Sequence, residues 1–248
     1  MDVGTLEGKI VVVTGGGSGM GAAFSRRLAA DGAHVVVNDV NEAAAGSVAD
    51  EVSGEAAIFD VADSKSFDAA IDRIVAHHGR IDVLINNAGF GLNSSFVKSE
   101  AADEQSVVNI LVSAPMRLAH AVLPQMVTRK SGTVVNVSSV AGYFAAGHYS
   151  AAKAYVTVLS ESLHAEVSKH GVNVSALCPG FTKTEFHQRA KMKMDALPNF
   201  MWLDADFLVA KSWADAQAGK AISIPGWQYR VMVWIAKASP RAWMRRSG

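Results

Sequence analysis

A chain of 248 residues, half of them hydrophobic and 19% charged, is long enough to bury a substantial core and reads as one α/β domain. Its 23 basic and 23 acidic residues balance, which excludes a global attraction to nucleic acid; any charged partner must find a local patch. The single cysteine, Cys178, excludes an internal disulfide and suits a reducing compartment.

The start, "MDVGTLEGKIVVV", lacks the positive n-region and small-residue cleavage site of a signal peptide, so a cytoplasmic location is expected. The longest uncharged stretches carry Gly, Ser, Asn and His in strand-and-turn order, and none reads as a membrane span. "KIVVVTG" is the first strand candidate and runs into "TGGGSGMG", residues 14–21. Gly15, Gly19 and Gly21 stand there in G-x-x-x-G-x-G spacing, with Ser18 and Met20 between them, ahead of the helical pattern "GMGAAFSRRLAADG". Glycines in such a turn let backbone N–H groups approach a pyrophosphate, whose charge the helix N-terminus favours. The second strand, "AHVVVND", ends on Asp39, 18 residues after Gly21. A carboxylate there can accept hydrogen bonds from ribose hydroxyls and repels a 2′-phosphate. No Arg or Lys follows it directly, so NAD is expected rather than NADP. The alternative for Asp39 is a solvated residue of the strand-end turn.

"AAIFDV" comes next, and its Asp60 and Val61 could frame an adenine, Asp60 serving equally well as a cap before a helix. The helix "KSFDAAIDRIVAHHG" and the strand "IDVLINNAG" follow, then the helix "APMRLAHAVLPQMVTRK" and the strand "GTVVNVSS". "SAAKAYVTVLSESLHAEVSKHG" is the longest helical pattern, and "VNVSALCPG" and "AISIPG" are the last strands. Continuous apolar runs indicate strands buried on both faces. Their alternation with helices predicts a Rossmann-like, doubly wound parallel sheet with its site at the carboxyl ends of the strands.

In "SSVAGYFAAGHYSAAKAYV", residues 138–156, Tyr149 and Lys153 lie four apart and share a helix face. A nearby ammonium would favour the phenolate and make Tyr149 a usable proton donor and acceptor. The pair alone is a common coincidence. His148 cannot share the face of its neighbour and reads as structural. The remaining histidines, "HH" at 77 and 78 included, lack metal-ligand spacing, and no metal is expected.

"TGGGSGMG", "NNAG" (86–89), Asn109, "SSVAG", "YSAAK" and "PGFTKT" (179–184) occur in the order found in the classical short-chain dehydrogenase/reductase family, which the chain resembles over about residues 6–226. The resemblance implies NAD(P)-dependent interconversion of alcohols and ketones. It implies that Tyr149 moves the substrate's proton, Lys153 lowers the Tyr pKa and holds the nicotinamide ribose, and Ser139 binds the substrate oxygen. Asn109 would support a water-linked proton path through Lys153. Asn86, Ala88 and Gly89 would shape the adenosine side of the cleft. Thr182 and Thr184, after Pro179 and Gly180, would contact the carboxamide. Asn86, Asn87 and Asn109 could instead satisfy buried backbone groups, and Thr184 could cap a helix. Ser139 is chosen over Ser138 because it begins S-x-x-G with Gly142. Ten residues separate Ser139 from Tyr149, about three fewer than in many members, which would tighten the wall beside Tyr143 and Phe144.

The resemblance further implies a small hydrophobic carbonyl or alcohol substrate of 3-oxoacyl, steroid-like or aryl/alkyl type, and a homodimer or homotetramer. Residues 185–203, with Met192, Met194, Leu197, Phe200, Met201 and Trp202, could form an apolar lid or a packing segment. Asp204 is the expected N-cap of a helix "ADFLVAKSWADAQAG". The catalytic domain is thus expected over residues 1–226, with a C-terminal extension, 227–248. Beyond Asp215 the chain has no acidic residue and six cations, so the extension could lie on an anionic membrane surface, cover the cleft or meet a second subunit. A nucleotide-binding sensor without turnover is the rival to an enzyme.

Overall fold

The computed structural model describes residues 6–92, 94–184 and 198–239. Seven parallel strands stand in the order β3-β2-β1-β4-β5-β6-β7. They are β1 Ile10–Thr14, β2 His34–Asp39, β3 Glu55–Ile58, β4 Val83–Asn86, β5 Gly132–Val137, β6 Val172–Leu177 and β7 Ile222–Ser223. The helices are α1 Gly19–Ala30, α2 Glu42–Glu51, α3 Ser64–His78, α4 Ala101–Val108, α5 Ala114–Arg129, α6 Gly147–Val167, α7 Ala205–Gln217 and α8 Trp227–Ala238. This is the expected doubly wound sheet, and the strand order reverses between β1 and β4.

Side chains that alternate along each strand build two cores. Val11, Val13, Val35, Val37 and Ile85 face α1, α2 and α7 through Phe24, Leu28, Val48 and Trp213. Val12, Val36, Leu84 and Val134 face α3 and α5 through Phe67, Ile74, Leu118 and Met126. Each wholly buried side chain of this kind contributes about 1.5–3 kcal/mol, which is why the strands need no polar alternation.

Besides α8 in the C-terminal extension, two helices lie where no helical pattern was assigned. The first, α2, is broken in pattern by Gly46 and Ser47 but starts on Asn41, whose side chain accepts from Ala44 N at 3.1 Å. The second, α4, buries only Val107. It leads through a single π turn, Asn109–Ser113, into α5. The run 101–129 is long and apolar enough to cross a membrane by length and composition, yet much of its apolar surface packs on the sheet. Asp204 caps α7 as expected, accepting from Asp206 N and Phe207 N. Gly79 and Gly171 end their helices in the left-handed region, whereas α5 ends on left-handed Lys130.

The edge strand β7 is only two residues long and depends on Asp215. This carboxylate is nearly buried; it accepts from Lys211, from Lys220 at 2.7 Å and from Ser223 Oγ at 2.7 Å. Burial pushes its pKa up, but these donors outweigh burial and hold it below 3.8. Asp215→Asn should therefore cost about 1–3 kcal/mol at neutral pH. A depressed carboxylate stabilises above its unfolded pKa, so the deficit should shrink as pH falls below 3.8. Urea unfolding of both proteins across that range checks this.

Candidate active site

The site forms at the carboxyl ends of β1, β4 and β5, and it begins with a clamp. Thr14 Oγ1 donates to Ile85 O (3.3 Å) and accepts from the N–H groups of Asn87 and Ala88 (both 3.1 Å). Asn87 Nδ2 donates back to Thr14 O and Gly15 O, both at 3.0 Å. The glycine turn is therefore tied to "NNAG". Gly15 sits at φ +61, and a Cβ there would meet Ala88 Cα at 2.9 Å; one on Gly21 would meet Gly15 O at 2.0 Å. No side chain caps the first turn of α1, since Ser18 makes no cap bond. A cradle of bare backbone at an uncapped helix N-terminus fits a pyrophosphate.

Asp39 lies beside this cradle. Its carboxylate accepts from Gly17 N (3.1 Å) and Asn41 N (3.0 Å), so it builds the turn and also places negative charge against the glycines. Asp60 is exposed and accepts from Ala62 N at 2.8 Å in the turn ahead of α3, whose N-cap is Asp63 and not Asp60. Val61, Asn86, Ala88, Leu111, Val137 and Lys153 line a small cavity behind the cradle. The amide of Asn86 is committed to the sheet, donating to Asn136 Oδ1 (2.8 Å) and Pro115 O (3.3 Å), so it touches the cleft without an amide proton to offer. Gly89 borders Leu111 and Lys153; a Cβ there would stand 3.9 Å from Lys153 Nζ.

Ser138 and Ser139 have different tasks. Buried Ser138 bonds Lys153 O and Thr157 Oγ1, both at 2.7 Å. Ser139 accepts from Ala141 N and shares a hydrogen bond with Tyr149. The shortened segment is a 3-10 turn, Val140–Tyr143, lying flat on α6, where a Cβ on Gly142 would meet Ala154 N at 2.8 Å. Tyr149 packs against Val107, Leu111 and Ala152. Just before it, His148 bonds Glu104, and Glu104 bonds Ser99, bracing the start of α6 against α4. His148 is structural, as expected.

Lys153 is 5% exposed and donates to Val137 O at 2.7 Å, with Nζ 5.7 Å from the centre of the Tyr149 ring. The expectation that it lowers the phenol's pKa is not met. Burial pushes Tyr149 up to about 12, opposed only by the bond with Ser139, and burial pushes Lys153 down to about 8. Desolvation is the largest cause of both shifts, and the ammonium turns to a backbone carbonyl instead of to the phenol. Asn109 occupies the π turn and accepts from Gln105 Nε2 at 3.0 Å.

Past β6, Thr182 is buried and its hydroxyl donates to Gly180 O (3.0 Å), which leaves the oxygen's acceptor side for a ligand. Thr184 N donates to Thr182 O at 2.9 Å. After Pro179, Gly180 lies against the Tyr229 ring of α8, and a Cβ would fall 2.0 Å from it. Tyr229 OH accepts from Phe181 N (2.9 Å) and donates to Met201 O (2.5 Å). Helix α8 of the extension is therefore part of the site's frame. Of the expected lid, Met192, Met194 and Leu197 lie outside the described residues, as do Pro240, Arg241, Trp243, Arg245 and Arg246 of the tail; Phe200 is exposed, and the rings of Phe181 and Trp202 meet tilted, with centroids 6.1 Å apart.

Residues 9–195 match the short chain dehydrogenase family, and the chain belongs to it. It is 30% identical over 196 residues to the 3-oxoacyl-(acyl-carrier-protein) reductase FabG of Thermotoga maritima, covering 76% of this chain and 80% of that one. Among solved structures, a short-chain dehydrogenase from Sphingobium yanoikuyae in complex with NADPH aligns at TM-score 0.80 and 30% identity, covering 93% of this chain and 94% of that one. A 3-ketoacyl-(acyl-carrier-protein) reductase from Brucella melitensis complexed with NADH aligns at 0.80 and 26%, covering 88% and 96%. The protein is an oxidoreductase of this family with a nucleotide-cofactor cleft.

Between pH 8 and 10.5 the unfolded chain holds a proton that folded Lys153 has released, so stability rises with pH across that window. Relative to Lys153→Met, the wild type should gain on the order of 3 kcal/mol from pH 8 to 10.5. Paired urea titrations at the two ends measure it, and a difference that does not change with pH contradicts a lowered Lys153 pKa.

Proposed function

We propose that the protein is an NAD(H)-preferring oxidoreductase that interconverts a secondary alcohol and a ketone on a small hydrophobic substrate. The observation that carries this reading is the hydrogen-bonded Ser139 and Tyr149 pair set one helical turn from buried Lys153. The nicotinamide, when bound, supplies or accepts the hydride. Ser139 orients the substrate oxygen and Tyr149 exchanges its proton with that oxygen. A phenol whose pKa is raised to about 12 stays protonated at neutral pH, which suits the direction of carbonyl reduction. Lys153 holds the floor of the cleft and binds the nicotinamide ribose. Val107, Leu111 and Phe90 beside Tyr149 support an apolar substrate.

The cofactor preference rests on Asp39, whose negative charge is locked against Gly17 by a backbone hydrogen bond. Relatives carry NADPH or NADH, so the choice belongs to this residue and not to the family. A homo-oligomer in the cytoplasm completes the reading, supported by exposed Tyr155 and Val158 on α6 and by a sequence whose single cysteine, Cys178, permits no internal disulfide.

Tyr149→Phe should lower kcat by about 10²–10⁴-fold while leaving NADH affinity within a small factor. Unchanged turnover of a good ketone would sink the assignment. Parallel NADH and NADPH titrations should favour NADH, and Asp39→Asn should erode the preference by about tenfold or more, the scale of one close charge repulsion. Tighter NADPH binding by the wild type would overturn the reading of Asp39.

A further inference from the structure

We propose that His34, Glu55 and His78 form a divalent-metal site, selective for Zn²⁺, at the end of the sheet opposite the active site. The three residues open β2, open β3 and close α3. In the sheet register Glu55 lies beside Val36, and alternation puts His34 on the same face as Val36. That face packs against Ile74 of α3, so the last turn of α3 delivers His78 onto both. The far end of β2, where Asp39 serves the cofactor cleft, is roughly 16 Å away at the usual strand rise.

The ligand atoms all lie within 4.8 Å of one another. His78 Nε2 is 2.9 Å and His34 Nε2 is 3.9 Å from Glu55 Oε2, and the two imidazole centroids are 4.9 Å apart. Zinc bonds of about 2.0–2.2 Å at tetrahedral angles hold ligand atoms roughly 3.3 Å apart, within that spread. His34 Nε2 is shielded from solvent and has no hydrogen-bond partner; 3.9 Å is too long for one. A ring nitrogen seldom stays buried and unsatisfied without cause, and a cation between the three groups would supply its partner. Glu55, 44% exposed, leaves an open side for ion entry and a water ligand. Two imidazoles and one carboxylate favour zinc over calcium or magnesium. Because the ligands come from three elements, occupancy would tie β2, β3 and α3 together and stabilise the fold.

The test uses the full-length, tag-free, chelator-treated chain, with Zn²⁺ in calorimetry and Co²⁺ as a visible-absorption probe. One ion per chain is expected, with Co²⁺ bands of four-coordinate intensity. At a hundredfold excess over Kd the Tm should rise by about 5–10 °C. His34→Asn and His78→Asn should each raise Kd by more than about 100-fold, beyond the cost of losing an outer-shell partner. His77→Asn should leave it unchanged. Glu55→Gln, a change at a half-exposed position, should weaken binding by at least about tenfold while circular dichroism and NADH binding stay as in the wild type. The proposal is overturned by absence of saturable binding to the wild type, by unchanged affinity in the His34→Asn, His78→Asn double variant, or by unchanged affinity in Glu55→Gln.

Discussion

The reciprocal hydrogen bonding of Thr14 and Asn87 is the constraint on which the rest of the cleft depends. It joins the ends of β1 and β4 where the strand order reverses, so the glycine turn and "NNAG" form one rigid rim. Gly15 and Gly21 follow from this closeness: each has backbone or an Asn87 amide where a side chain would begin. The uncapped start of α1 and the carboxylate of Asp39 are aimed by the same turn. A crevice at the switch point of a parallel sheet is thus built from main chain, which is what close approach to a phosphate requires.

Electrostatics within the crevice are set by burial. Lys153 and Tyr149 share a face of α6, yet each is pushed toward its neutral form, and removal from water is the largest cause of both shifts. Tyr149 is therefore held as a neutral phenol, and Ser139 is the group that moderates the shift. A second frame closes the other wall. Tyr229, from a helix beyond the last strand, holds Gly180, Phe181 and Met201, coupling the C-terminal extension to the loop after β6.

The strands, the glycine turn, Asp39 and the Tyr149–Lys153 pair were legible because each is written in contiguous residues: a run of Val, a Gly spacing, a four-residue interval. What stayed hidden depends on partners distant in the chain. The second Asn of "NN" reaches Thr14 across 73 residues, and His148 meets Glu104 across 44. Gly180 was placed with the cofactor-contacting stretch "PGFTKT", and nothing in that stretch announced the ring of Tyr229 that leaves no room for a side chain there. Asn86 and Thr182 looked free to meet a cofactor, but Asn136, Pro115 and the Gly180 carbonyl take their donor groups, while the buried Asn86 Oδ1 has no hydrogen-bond partner. Spacing also concealed the cluster of His34, Glu55 and His78, which only strand register assembles. The direction of the Tyr149 shift was misjudged because sequence places an ammonium one turn away but does not say which way it points.

The most direct measurement is to incubate the protein with nicotinamide-deuterated NADH and a panel of hydrophobic ketones, then examine the products by mass spectrometry. The account predicts an alcohol carrying one deuterium on the former carbonyl carbon. Tight NADH binding with no label transferred to any ketone would contradict it and leave a nucleotide-binding protein without turnover.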